Sequence, residues 1–215
     1  LARKPADQSV NREDILLAAA DVLQRNGYEA TTMKDIAAAV NLTAASLYHH
    51  FRNKDALLLA VLEAGLDRII RQIEPIVHSD MRTDDKLRRM IHEHIVGLTE
   101  HTAVGAAMVF EIRSLIGDKT PPSDANPADQ QAYADFIARR DTFFARRDQF
   151  EDLFRCVIRE GMENGIFRPV DVAIFTKTML GAHNWVGVWY KPNGRLNGQQ
   201  IADMMADSFL RALQP

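Results

Sequence analysis

Residues 32–54 read Thr32-Met33-Lys34-Asp35-Ile36-Ala37-Ala38-Ala39-Val40-Asn41-Leu42-Thr43-Ala44-Ala45-Ser46-Leu47-Tyr48-His49-His50-Phe51-Arg52-Asn53-Lys54. The pattern predicts two short helices, one from Met33 to about Val40 with Thr32 as its cap, the other from Thr43 or Ala44 to about Phe51. Asn41-Leu42 interrupts them, and asparagine is among the few residues besides glycine that tolerate a left-handed turn. Helices joined so tightly must cross closely, which small residues permit, and Ala37 and Ala38 supply them. Ile36, Val40, Leu42, Leu47 and Phe51 are spaced to form a miniature core with the helix before them.

The second helix is read by its faces. At about 100° per residue, Ala44, Leu47 and Phe51 share one side, while Ala45, Ser46 and His49 point the other way with Tyr48 on a flank. A small, polar outer face suits entry into a major groove. There Ser46 reaches a base or a phosphate and Ala45 a thymine methyl. Thr43 opens this helix beside them. Tyr48, His49, His50 and Lys54 are candidates for phosphate contacts, which fix register. Thr32 and Lys34 are placed to meet the backbone on the other side. Read singly, the histidines are surface residues and Ala45 is filler; the pattern as a whole carries the reading.

Working outward, helical spacing predicts a helix from about Asn11 to Asn26, buried through Ile15, Ala18, Ala19, Val22 and Leu23 and stopped by Gly27. Asn53 caps a longer helix from Lys54, which Pro75 should kink or end. Further helices are expected from Thr83 as cap through Leu98, over about 103–116, 128–164, 172–190 and 199–213. Residues 117–126 hold Pro121-Pro122 and form the clearest loop. Ala138-Arg139-Arg140-Asp141 recurs seven residues on as Ala145-Arg146-Arg147-Asp148, read as a solvated helix face with local ion pairs. No alternating strand pattern appears. The fold class is therefore all-α, with an N-terminal three-helix helix-turn-helix domain (1–55) and a C-terminal helical ligand-binding and dimerisation domain (56–215).

Charge speaks mildly against a nucleic-acid partner. The 215 residues carry 26 Lys/Arg against 29 Asp/Glu, a net −3. Residues 1–60 hold seven of each sign. Distribution matters more than the sum, and Arg3, Lys4, Arg12, Lys34, Arg52 and Lys54 gather around the motif. The single cysteine, Cys156, excludes an intrachain disulfide, fits a reducing compartment and reads as a core thiol. No apolar run approaches the ~20 residues that span a bilayer, and the opening residues lack an apolar signal core, so a cytoplasmic protein without a membrane partner is expected. His92, His94 and His101 do not share a helix face, so no metal is expected, and no cofactor or catalytic motif is found.

The stretch Ile15–Ala64 resembles the DNA-binding domain of TetR-family regulators. The resemblance rests on Ala18-Ala19, Gly27-Tyr28, Thr31-Thr32, Asp35-Ile36-Ala37, Leu47-Tyr48-His49-His50-Phe51 and Lys54; Asn41 stands where the family usually has glycine. It implies phosphate contacts from Tyr48, His49, His50 and Lys54, double-stranded operator DNA as partner, a homodimer through the last two helices and a small-molecule effector in the C-terminal body. Residues 165–168, 180–185 and 189–194 are similar to regulators that sense acyl-coenzyme A thioesters from lipid or sterol breakdown. On that footing Met108, Phe110, Arg113, Asn184, Trp185 and Trp189 are the candidate ligand residues, with Arg113 facing coenzyme A phosphates, and Trp185 and Phe209 lie on the expected dimer helices. The reading is a ligand-responsive repressor and not an enzyme; the alternative is a helical carrier or enzyme with a vestigial helix-turn-helix.

Overall fold

In the computed structural model, residues 11–116 and 126–215 are described; most of the expected 117–126 loop, and Arg3 and Lys4, lie outside them. The described residues form helices and no strands. They are α1 (Arg12–Ala30), α2 (Met33–Ala39), α3 (Ala44–His50), α4 (Lys54–Val77), α5 (Thr83–Glu100), α6 (Thr102–Phe110) with a 3-10 turn (Glu111–Leu115), α7 (Pro127–Glu163), α8 (Val172–Trp189) and α9 (Gly198–Ala212).

Side-chain caps set most starts. Asn11, Thr43, Asn53, Asn126, Asp171 and Asn197 each accept an amide N–H from the first turn of the helix they open. Thr32 and Asp35 form a reciprocal capping box at α2. Thr83 does not cap α5 as expected. It is the first helical residue, and its hydroxyl donates to Glu160 on α7. Gly27 interrupts α1 at φ 75°, where the sequence places a stop, but one more turn follows to Ala30. Pro75 neither ends nor breaks α4, which runs on to Val77.

Two cores result. The smaller one joins α1, α2 and α3 through Ile15, Ala19, Ile36, Leu47 and Phe51. Leu57, Ala60 and Val61 of α4 also belong to it, so the packing continues past the expected boundary at 55. The larger core gathers α4, α5, α7, α8 and α9 around Leu62, Leu66, Ile91, Phe154, Val157 and Met179. Helix α4 is thus shared, its first turns in the head and the remainder in the body.

The repeated Arg-Arg-Asp of α7 is not merely a solvated face. Arg139 bridges Glu63, and Arg146 Nε lies 2.7 Å from Asp67 on α4. A heptad step on α7 meets a four-residue step on α4, because both keep one face toward the other helix. Arg52, just after α3, bridges Asp129 in the first turn of α7. Cys156 is exposed rather than buried: it lies on the α7 face away from Phe154, Val157 and Ile158.

Candidate nucleic-acid interface and effector cavity

The turn between α2 and α3 places the reading face. Asn41 sits at φ 55°, the left-handed conformation its short amide side chain accommodates. Leu47 and Phe51 are buried beneath α3, while Thr43, Ala45, Tyr48, His49 and His50 are exposed and Ser46 is half-buried. Thr43 Oγ1 accepts the Ser46 N–H at 3.1 Å, and the two hydroxyls lie 2.9 Å apart, so Ser46 is tied to its own cap. Thr32 and Lys34 are exposed on α2. The Thr32 hydroxyl and amide both donate to Asp35, which holds that carboxyl below its usual range. The Arg12 guanidinium stands 5.3 Å from the Phe51 ring centre, behind the exit of α3.

Lys54, expected at a phosphate, is held by backbone carbonyls here. Its ammonium donates to the carbonyls of Tyr28 at 2.6 Å and Thr31 at 2.9 Å, and lies 4.1 Å from the Tyr28 ring centre. These carbonyls sit at the C-terminal end of α1, where helical partners run out. Glu111, in the 3-10 turn, accepts the Tyr28 N–H at 3.1 Å and so ties the head to the body. Burial and the neighbouring Glu29 raise the Glu111 carboxyl above its usual range, against Lys54.

A cavity of about 640 Å³ lies between head and body. Of the expected ligand residues, Met108 and Asn184 line it; Phe110, Arg113, Trp185 and Trp189 do not. Phe110 and Trp185 meet edge to face on the outer surface, with ring centres 6.5 Å apart, and are 51% and 54% exposed. Trp189 is also exposed, and Arg113 faces solvent from the 3-10 turn. Helical phase explains this. On α8 the inward side is Thr176, Met179, Leu180, His183, Val186 and Gly187, which leaves Ile174, Thr178, Trp185 and Trp189 outside, while the exposed Gly181 lines the cavity. Phe209 packs inward as well, its ring centre 6.1 Å from that of Phe175 and 5.5 Å from that of His183.

The sequence reading missed the head's share of the cavity. Arg12, Glu13, Leu16 and Leu17 of α1 line it, as does one side of α4. Arg68 on α4 donates to Glu13 at 3.3 Å and also to His101 Nε2, so it links α1, α4 and the junction of α5 and α6. Burial, then the Arg68 charge, lowers the His101 pKa. Lys177 pairs with Glu151 at 3.1 Å. Arg12, Arg71 and Arg147 line the cavity without an acidic partner among the described residues. Among the same residues, no cluster of three metal-ligating side chains is found, and no single helix is long and apolar enough to cross a membrane.

A compact head whose exposed short helix follows a tight left-handed turn, set on a helical body with its own cavity, defines the class of helix-turn-helix regulators. Two family models match the chain: bacterial regulatory proteins of the tetR family at residues 15–61, and the tetracyclin repressor-like C-terminal domain at 137–213. The chain belongs to the TetR family and is a DNA-binding transcriptional regulator. It is 26% identical over 199 residues, 92% of its own length and 87% of the relative's, to the HTH-type transcriptional repressor KstR2 of Mycolicibacterium smegmatis. The crystal structure of AibR in complex with isovaleryl coenzyme A and operator DNA is 27% identical, covers 94% of this chain and 97% of AibR, and superposes with a TM-score of 0.71. The ketosteroid transcriptional regulator KstR2 of Mycobacterium tuberculosis shares the fold, with a TM-score of 0.79 at 24% identity, over 99% of this chain and all of that one.

Proposed function

We propose that this protein is a homodimeric repressor that leaves its operator when a small apolar effector, of the acyl-coenzyme A thioester type, fills the cavity between head and body. The observation that carries the reading is the lining of that cavity. Its walls include α1 of the head as well as α4, α5, α6, α7 and α8. A ligand there touches the element that orients α3, and a ligand shifts an equilibrium only through contacts that differ between its two states. Arg12 stands between the cavity and the Phe51 ring, which anchors the C-terminal end of α3.

In this reading Thr43, Ala45, Ser46, Tyr48, His49 and His50 read bases and backbone, with Thr32 and Lys34 on the flanking phosphates. Lys54 serves the head's stability. Arg71 and Arg147, not Arg113, meet the anionic part of the effector, and Met108 and Asn184 lie along its apolar part. The exposed stripe of α8, from Ile174 through Thr178 to Trp185 and Trp189, faces a second copy together with Met204 and Ser208 of α9. Contiguous apolar surface of this kind marks an interface, and a two-fold pair of reading heads suits a near-palindromic site. AibR, which is known with isovaleryl coenzyme A and operator DNA, supports the thioester class.

The test is calorimetric titration with acyl-coenzyme A esters, free fatty acids and planar cationic drugs, followed by retardation of an operator duplex. Release by a thioester, and by none of the free acids or drugs, is expected. Release by a cationic drug with no response to any thioester would contradict the effector class and leave the regulator reading standing.

A further inference from the structure

The apolar part of the cavity lining includes Ile69, Leu98, Met108, Phe150 and Leu180. Among the lining residues, His94 is the polar side chain that is buried. His94 is 5% exposed, lines the cavity and stands edge-on to Phe150, with ring centres 5.2 Å apart. Its Nδ1 lies 3.2 Å from Nδ1 of His183, which is wholly buried behind it among Phe154 and Phe209. With Nδ1 turned to His183, the Nε2 edge of His94 is left to the cavity.

Two Nδ1 atoms at that distance share one proton. If it sits on His94, the second proton of the neutral pair is on His183 Nε2, a buried N–H for which no acceptor is within reach. If it sits on His183, then His183 Nε2 is a bare lone pair and His94 carries its proton on Nε2. Orphaned buried N–H groups are rarer than under-satisfied acceptors, so the second arrangement is favoured. Burial lowers the pKa of both rings, His94 to about 4 and His183 well below its usual value with the help of its neighbour, and keeps the pair neutral.

We propose that His94 is a ligand-binding residue of this cavity, donating Nε2–H to a carbonyl oxygen in the apolar part of the effector, with His183 positioning it by fixing its tautomer. The proposal deepens the effector reading above and rests on it. A neutral donor in an apolar wall suits a neutral acceptor; a carboxylate there would be desolvated with a single uncharged partner. A thioester carbonyl and a ring ketone share this chemistry.

The experiment pairs each source with a carbonyl-free twin: isovaleryl coenzyme A against its thioether analogue, and a ketosteroid against the same steroid lacking the oxygen. Calorimetry on the wild-type protein should show the carbonyl-bearing member of one pair binding about fivefold to tenfold tighter than its twin, and the pair that responds names the source. His94→Phe should bring that ratio to about one while the twin keeps its affinity. A second measurement needs no ligand and no variant. In spectra of the protein carrying 15N-labelled histidine at neutral pH, His94 should show a protonated Nε2 and a bare Nδ1, and His183→Leu should release it into a mixture of tautomers. A ratio near one in the wild type, a His94 protonated at Nδ1, or no binding of any of the four compounds overturns the proposal. Operator binding by the same preparation, measured separately, decides whether the regulator reading falls with it.

Discussion

Lys34 and Lys54 stand at opposite ends of the helix-turn-helix, the first exposed and the second bonded to carbonyls of α1. Lys34 is exposed. Its replacement by alanine should weaken binding to all duplexes alike and reduce the slope of log affinity against log salt by about one; an unchanged slope takes Lys34 off the phosphates. Lys54 holds the C-terminal carbonyls of α1. Charge-assisted bonds at a half-buried position are worth on the order of 1–2 kcal/mol, so Lys54→Met should lower the denaturation midpoint. Unchanged stability with weakened operator binding would return this ammonium to the DNA. The histidine pair sets an acid limit. His94 and His183 have folded pKa values below the ordinary histidine value, His94 at about 4, so the unfolded chain binds more protons between that pH and about 6.5. Stability is then full above about pH 6.5 and is lost as pH falls toward 4, by on the order of 3 kcal/mol from His94 alone. Urea titrations at stepped pH check the sign, and a midpoint that rises on acidification contradicts it.

At the scale of elements, the helices were legible wherever spacing and caps agree. Asn53 before α4, Asp171 before α8 and the left-handed Asn41 were read from local chemistry alone, because a cap or a turn involves residues three or four apart. The orientation of α8 was not legible, since Phe175, Trp185 and Trp189 are all large and apolar and only the packing partners decide which side is inside. The same limit hid Lys54's carbonyl partners and the contribution of Arg12 and Leu17 to the cavity, because both depend on how helices distant in sequence meet. Cys156 was misread because a helix with a buried Phe154 and Val157 still has an outer face. The outward face of α8 has a direct consequence. Trp185→Asp leaves the fold intact, as the side chain is already 54% exposed, but places a charge in the proposed two-fold contact, where an unpaired buried charge is strongly destabilising. Sedimentation at low micromolar concentration should show monomers. A dimer that survives the change lies elsewhere. Phe209→Asp, by contrast, should destabilise the fold itself, because that ring packs on Phe175 and His183.

Over the whole molecule, head and body share α4 and enclose a cavity whose walls come from both. Salt bridges from Arg52, Arg139 and Arg146 lie along the same junction. Exposed pairs of this kind contribute little each, so the junction rests on the packing of α4 and of α1 against α6, where Ala103 joins the smaller core. A symmetric dimer places two such heads about one helical turn of DNA apart, and a change in their spacing is enough to lose adjacent major grooves. Selection from a pool of randomised duplexes by the wild-type protein tests this most directly. The account predicts enrichment of one near-palindromic sequence, with binding lost when Tyr48 and Ala45 on the outer face of α3 are replaced together by alanine and glutamate. Enrichment of no sequence above the pool, or an enriched site bound equally well by that double variant, would contradict it.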